Sequence, residues 1–487
     1  MSSQKEKFYI TTAIDYVNAD PHLGHALEKI QADVIARYHR LLGKDVFFLT
    51  GTDEHGVKIV KAAEEKNKTP EELASQNTQK FKDLCKVLNI SNDDFIKTSD
   101  QKKHWPSVKK IWEKLKANGD IYKKEYQGLY CSGCEAFITK KDLKDGRCVI
   151  HQKEPEAIEE ENYFFKLSRY SKEIEKAIQE DKIKIIPETR KNEILNFIGR
   201  GLKDVSFSRP RKDLKWGIPV PDDESQTIYV WTDALTNYIS AIGYDKNSIK
   251  FKKYWPADVH CIGKDILRFH AAIWPGILLS AGIELPKNIF VHGFISVDGQ
   301  KMSKSLGNVI NPFELVKKYG TDPVRYFLLR EIPPTEDGDF TYEKFEKRYN
   351  ADLSSGLGNL VARTLTLAEK IEINSYVSKS IKPKIDETWQ NYRKFLDELK
   401  FNEALSSIWG LIGFCDKYIE KEKPWENKDP EVIKELLSAL SNIASLLQPF
   451  LPETSEKIFQ QLGTDPKKKE EKFKPKKGKP LFPKFRS

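Results

Sequence analysis

FYITTAIDYVNADPHLGHALEKIQADVIARYHRLLGKDVFFLTG, residues 8–51, is the stretch that decides the fold. Its first ten residues are mostly apolar or β-branched and predict a buried strand. The polar loop NADPHLGH follows. ALEKIQADVIARYHRLLG then repeats apolar positions three and four apart as far as Gly43, where a helix is expected to stop. DVFFLTG (45–51) predicts a second short buried strand. Strand, loop, helix, strand is the βαβ unit of a parallel, doubly wound sheet, so the fold class is α/β. Ligands bind such sheets where loops leave the carboxyl ends of strands, which puts His22-Leu23-Gly24-His25 where chemistry is expected.

Working outward, the pattern changes between 120 and 222, where NYFFKLSRY and a helical stretch near 170–200 read as an insertion between two halves of the sheet. TIYVW (227–231), ADVHCIG (257–263) and NIFVHGFI (288–295) predict the return of strands, with a helix between the last two. From about 350 strand signals stop. LGNLVARTLTLAEKI, FNEALSSIWGLIGFCDKYIEKEKPW and EVIKELLSALSNIASLLQPFL predict helices, expected to form a C-terminal bundle. The expected division is 1–119 and 223–295 for the halves of the α/β domain, 120–222 for the insertion and 296–349 for a linking region. Residues 350–465 make the helical domain and 466–487 a basic tail.

A chain of 487 residues is too long for one core, and 39% hydrophobic with 11% aromatic residues excludes general disorder. No apolar run reaches the roughly 18–20 residues of a membrane span. MSSQKEKFYITTA lacks the apolar stretch of a signal peptide, so a soluble cytoplasmic protein is expected. The net charge is +9, but residues 466–487 hold nine Lys and one Arg against two Glu. The rest is therefore nearly neutral, and charge alone does not identify a nucleic-acid partner. The tail reads either as a solvated end or as a salt-sensitive phosphate contact.

Six cysteines do not make a disulfide framework here. Cys85, Cys261 and Cys415 have apolar neighbours and are expected in the core. Cys131-x2-Cys134-x13-Cys148-x2-His151 has zinc-knuckle spacing in a polar stretch. Three thiolates and an imidazole fill a tetrahedron, so one structural Zn2+ is expected, with Gly128, Gly133 and Gly146 at the turns.

His22 and His25, three apart at a helix start, can aim imidazole N–H groups at an anion, aided by the helix N-terminus. Gly24 would let a flat ligand approach. Alone, the motif is a weak signal, and ordinary surface histidines are the stronger reading. Lys301-Met302-Ser303-Lys304-Ser305 offers two lysines and two serines to neutralise a triphosphate and a leaving pyrophosphate; a solvated basic loop is the competing reading. Met302 is the sole methionine after the initiator.

Together, in this order around an α/β domain, the two loops resemble the signature of class I aminoacyl-tRNA synthetases, in which both clasp ATP on a Rossmann-like fold. AIDYVNADPHLGH, FLTGTDEHG (48–56), YVWTDALTNY (229–238), GKDILRFH (263–270) and HGFISVDGQKMSKSLGN are similar to segments of the methionyl-tRNA synthetase family over almost the whole chain. Ala13 departs from the proline of many relatives. The resemblance implies that His22, Gly24, His25, Lys301, Ser303, Lys304 and Ser305 bind ATP with its Mg2+, with His22, His25, Lys301 and Lys304 assisting catalysis. Asp53 would hold the amino group of methionine. Tyr16, Trp231, Ala234, Tyr238, Ile266 and His270 would line the thioether slot, with Ala13 and Ile14 at its backbone edge. The knuckle resembles the single-knuckle insertion of some relatives, the linking region would carry the KMSKS loop and contact the tRNA stem, and Asn359, Arg363 and Trp425 would read the anticodon of tRNA(Met). The sequence stops soon after LFPKF with no OB-fold appended, and a monomer is expected. Another class I synthetase and a non-catalytic tRNA-binding relative remain the alternatives.

Overall fold

The computed structural model describes residues 5–131, 133, 136–138, 140–150, 152–302, 307–369, 378–427, 429–464 and 473–485. The elements that position the site are, in chain order, β1 (Lys7–Thr12), β2 (Asp15–Tyr16), α1 (Leu23–Leu41), β3 (Asp45–Asp53), β4 (Asp94–Lys97), α2 (Trp105–Ala117), β5 (Lys184–Ile186), α3 (Val230–Leu235), α4 (Asn237–Ser240), β6 (Val259–Gly263) and β7 (Asn288–His292). Beyond them run α5 (Thr321–Arg330), α6 (Asn359–Leu367), α7 (Lys382–Asp397), α8 (Phe401–Glu422), α9 (Pro430–Leu447) and α10 (Pro452–Leu462). The chain forms two compact units. One comprises Met1–Pro21, Gly43–Cys85 and Ser91–His292, and the other His22–Leu42, Lys86–Ile90 and Gly293–Ser487.

The first unit holds one parallel sheet in the order β5-β7-β6-β1-β3, with β2 and β4 also paired to β3. Its central strands are buried along nearly their whole length, which is why they read as continuous apolar or β-branched runs. Order reverses at β1, flanked by β3 on one side and β6 on the other, so a crevice opens at their carboxyl ends. The helix α2 buries Val108, Ile111, Trp112 and Leu115, spaced on one face, in the same core as Tyr9, Leu49 and Ile96.

Four local readings are corrected. FYITTAIDYV is not one strand: β1 ends at Thr12, the Ala13 N–H turns to the Cys261 carbonyl at 3.0 Å, and β2 resumes pairing with β3. TIYVW is a strand only to Ile228, in a separate antiparallel sheet; Thr232 and Asp233 then donate to the Tyr229 carbonyl and start α3. The stretch near 170–200 is two helices around β5, which pairs with β7, so the region read as an insertion contributes a strand to the main sheet. Gly128 is not at a turn but pairs with Ile158 inside a ten-residue antiparallel ladder. A short apolar run carries the same local signature in strand and helix, and only its hydrogen-bond partners decide between them.

In the second unit α7 packs on α8, α8 on α9 and α9 on α10. Arg325 of α5 is fully buried and donates to the carbonyls of Leu88, Pro449 and Phe450 at 2.8–3.0 Å while pairing with Asp33 of α1 at 2.8 Å. In the described part of the basic tail the lysines are exposed while aromatic side chains pack. Phe473 and Phe482 are buried, the Phe485 ring lies 4.9 Å from those of Tyr319 and Tyr349, and the Lys474 N–H donates to the Leu462 carbonyl. Apolar residues among the lysines thus fix the segment's path, which a charge count does not reveal. Among the described residues no helix is long and apolar enough to cross a membrane.

Candidate active site

A cavity of about 650 Å³ in the first unit is lined by Ala13, Ile14, Tyr16, Asp53, Trp231, Ala234, Tyr238, Ile266 and His270. The sheet explains the convergence. Ala13 and Ile14 lie in the break after β1, Tyr16 is on β2, Asp53 ends β3, and Ile266 and His270 follow β6. Trp231 and Ala234, three apart, share a face of α3, and Tyr238 is on α4.

Among the lining residues, Tyr238 and His270 form a hydrogen-bonded pair. The Tyr238 hydroxyl lies 2.7 Å from His270 Nε2, and His270 Nδ1 lies 3.0 Å from the Ile266 carbonyl. A carbonyl only accepts, so Nδ1 carries the proton and Nε2 accepts from the tyrosine. Burial pushes His270 down to about 4, against the Ile266 carbonyl, so the ring is neutral at physiological pH. Trp231 stacks flat on Phe269 at 3.7 Å and 7°, with its plane nearly perpendicular to that of His270. The same cavity is lined by the buried carboxylate of Asp53, which the His55 N–H and the Thr98 hydroxyl each approach at 3.4 Å. A carboxylate and several aromatic rings in one lining suit a ligand with an ammonium group and a polarisable apolar side chain.

Sequence reasoning missed several residues at this cavity. Lys58, Arg209, Asn237, Asp265 and Phe269 also line it. Asp265 and Phe269 stand inside the GKDILRFH segment, so they were within reach; Arg209 is brought in by a short antiparallel strand with no local signal.

In the second unit His22 caps α1. The Gly24 N–H donates to His22 Nδ1 and the His22 N–H to His25 Nδ1, each at 3.1 Å, and the rings stack at 3.8 Å. Both Nδ1 atoms therefore accept, which places both protons on Nε2 and makes each ring a donor there. A Cβ at Gly24 would come within 2.9 Å of the His22 ring, so a larger residue there would push the capping imidazole aside. Lys301 is exposed at the end of a hairpin in which Gln300–Lys301 pairs with Ile295–Val297 around Asp298 and Gly299, both at positive φ. Ser303, Lys304 and Ser305 lie outside the described residues.

Cys131 and Cys148 are both buried and share a small cluster with Ile138. The Asp145–Gly146 turn, with both residues at positive φ, returns the chain to Cys148, whose carbonyl accepts from the Gln152 N–H at 2.8 Å. Two soft sulfur donors brought to one cluster fit a zinc ligand set. Cys134 and His151 lie outside the described residues. Cys85, Cys261 and Cys415 are buried, as core residues would be.

Asn359 opens α6 and borders a cleft of about 440 Å³ with Ser354, Ser355 and Phe482. Arg363, one turn on, pairs with Asp416 of α8 at 3.6 Å. Trp425 follows α8 and is 48% exposed.

The sequence matches the family model for class I tRNA synthetases (M) over residues 8–142 and 133–365, and that for the anticodon-binding domain of tRNA ligases over 378–481. It is 46% identical to a methionine–tRNA ligase of Caldanaerobacter subterraneus, covering 94% of this chain and 74% of the relative. Identity to the methionine–tRNA ligase of Brucella suis is 44%, over 96% of this chain and 93% of that one. Among solved structures, Mycobacterium tuberculosis methionyl-tRNA synthetase in complex with methionyl-adenylate superposes with a TM-score of 0.92 at 39% identity, over 98% of this chain and all of that one.

Proposed function

The chain belongs to the methionyl-tRNA synthetases of class I, and from that premise we propose how its residues divide the two steps of the reaction. The enzyme activates L-methionine with ATP to methionyl-adenylate and transfers it to the 3′-terminal ribose of tRNA(Met), releasing AMP and diphosphate.

In our reading methionine occupies the first-unit cavity. Asp53 takes the ammonium group, and the thioether lies among Tyr16, Trp231, Ala234, Tyr238, Ile266 and His270, with Ala13 and Ile14 at the backbone edge. The observation that supports this most is that one cavity is lined by all nine residues. The methionine carboxylate attacks the α-phosphorus of ATP in line, and the pyrophosphate leaves. His22 and His25 donate from Nε2 to phosphate oxygens, helped by the backbone at Gly24 and the α1 N-terminus. Lys301 and Lys304, with Ser303 and Ser305, offset the charge growing on the leaving group. Mg2+ bound with ATP supplies further neutralisation of the phosphates. The tRNA ribose hydroxyl then attacks the adenylate carbonyl, and no side chain acts as a covalent nucleophile.

The helices from residue 350 to 465 are, in this reading, an anticodon-binding bundle in which Asn359 and Arg363 hydrogen-bond splayed bases and Trp425 stacks on one. Base stacking on an aromatic side chain is worth about 1–3 kcal/mol. Trp425→Ala is therefore expected to lower kcat/KM for tRNA aminoacylation roughly 10- to 100-fold while methionine-dependent ATP–pyrophosphate exchange is unchanged. Aminoacylation at the parental rate refutes the anticodon role.

Cys131, Cys134, Cys148 and His151 would hold one closed tetrahedral Zn2+ that ties the 120–222 insertion together and leaves no position open to substrate. Metal analysis of the purified chain should give about one zinc per molecule, lost to a strong chelator together with part of the thermal stability. A preparation that holds no zinc, or keeps its melting temperature once stripped, contradicts the knuckle.

A further inference from the structure

Behind the cavity wall lies a chain of buried polar groups that does not line the cavity itself. Asp233 sits on α3 between Trp231 and Ala234, and its carboxylate is fully buried. Oδ2 lies 2.6 Å from His55 Nδ1, and Oδ1 lies 2.7 Å from His104 Nε2. His104 Nδ1 lies 2.7 Å from the hydroxyl of Ser240, on α4, the helix that carries Tyr238. His55 stands two residues after Asp53, its N–H is the one that approaches Asp53 Oδ1, and its ring lies edge-on to Trp216 at 5.3 Å. Burial alone would raise Asp233, but the facing His55 and His104 hold it below the ordinary carboxylate value, so it stays ionised. The bonds thus run from the strand end that bears Asp53 to both helices that bear Trp231, Ala234 and Tyr238. Neither His55, His104, Asp233 nor Ser240 lines the cavity.

A buried ionic cluster is a poor source of net stability, because desolvation offsets most of its Coulomb gain. Its bonds are directional, however, and direction is what a recognition pocket needs from the residues behind it. Asp233 points away from the cavity while Trp231 and Ala234 point in, so a rotation of α3 would move the slot relative to the ammonium-binding carboxylate. We propose that Asp233, together with His55 and His104, is a positioning unit for amino-acid recognition that fixes the distance and angle between Asp53 and the Trp231–Tyr238 wall without touching substrate. This rests on the reading that the cavity binds methionine.

The test is methionine-dependent ATP–pyrophosphate exchange by the full chain, with KM for methionine and for ATP measured separately. Asp233→Asn and His104→Leu should raise KM for methionine at least about tenfold, leaving KM for ATP within about twofold, since small misplacements of a binding group act on the ligand it holds. His104→Gln, whose side-chain amide can donate where imidazole Nε2 does, should return KM for methionine to within about threefold of the parent. A merely structural role would lower the fraction of active sites and the melting temperature and leave KM for methionine in the surviving enzyme unchanged; that result overturns the proposal. Equal rises in both KM values overturn it as well, and so does His104→Gln behaving like His104→Leu. Should His104→Leu not fold, Asp233→Asn against His104→Gln gives the same contrast. Failure of the underlying reading is seen separately, as an Asp53→Asn variant whose KM for methionine does not move.

Discussion

Asp53→Asn is expected to lower kcat/KM for methionine in ATP–pyrophosphate exchange by roughly 10²- to 10³-fold, mostly through KM for methionine and hardly through KM for ATP. The carboxylate is buried at the end of β3, and its described hydrogen bonds from His55 and Thr98 are both long, at 3.4 Å. An ammonium ion held by this buried carboxylate would form a charge pair in a largely desolvated site. Removing one partner of such a buried pair costs about 3–5 kcal/mol, because the remaining charge is left in a dry site. Asparagine keeps the shape and removes the charge, so the fold should survive. A variant that loses less than about threefold would mean that the ammonium binds elsewhere.

The second large effect concerns stability. Arg325→Leu is expected to destabilise the second unit by about 3–5 kcal/mol, seen as a melting transition lower by roughly 10 °C. Arg325 ties α1, the segment Lys86–Ile90 and the chain before α10 into one buried node. Burial pulls the guanidinium below its ordinary value while Asp33 opposes this, and the buried cation is offset by that partner. Leucine leaves three carbonyls without the guanidinium donor and removes one of the cations that pair with Asp33. Arg37 still reaches Asp33 at 2.7 Å, so the carboxylate is not abandoned entirely. The double variant Asp33→Leu/Arg325→Leu should be clearly less damaging than the sum of the singles. Additive losses would show that the two charges are not coupled.

How much of this was legible in sequence follows a physical line. The unit β1, α1, β3 could be read because a strand buried on both faces and an amphipathic helix each leave a periodic mark on contiguous residues. The cavity residues were legible only as members of motifs, since Trp231 and Tyr238 look like plain core until the sheet brings them to Asp53. TIYVW misled because five apolar and β-branched residues say nothing of whether the next hydrogen bond goes across a sheet or back one turn. Asp233 was illegible: its partners lie 178 and 129 positions away, and nothing local marks it. Arg325 in TDPVRYFLLR likewise reads as an ordinary helix arginine, and only the chain's return past Pro449 makes it a buried node. The lysine-rich tail was read by its charge, whereas its three phenylalanines decide where the described part lies.

The central claim is that this chain activates methionine with ATP. Exchange of labelled pyrophosphate into ATP by the purified chain, with each amino acid supplied in turn, tests it most directly. The expected result is saturable exchange with methionine, weaker exchange with close isosteres such as norleucine, and none with cysteine, leucine or valine. No exchange with any amino acid, or exchange driven equally by leucine, valine or cysteine, would contradict the account.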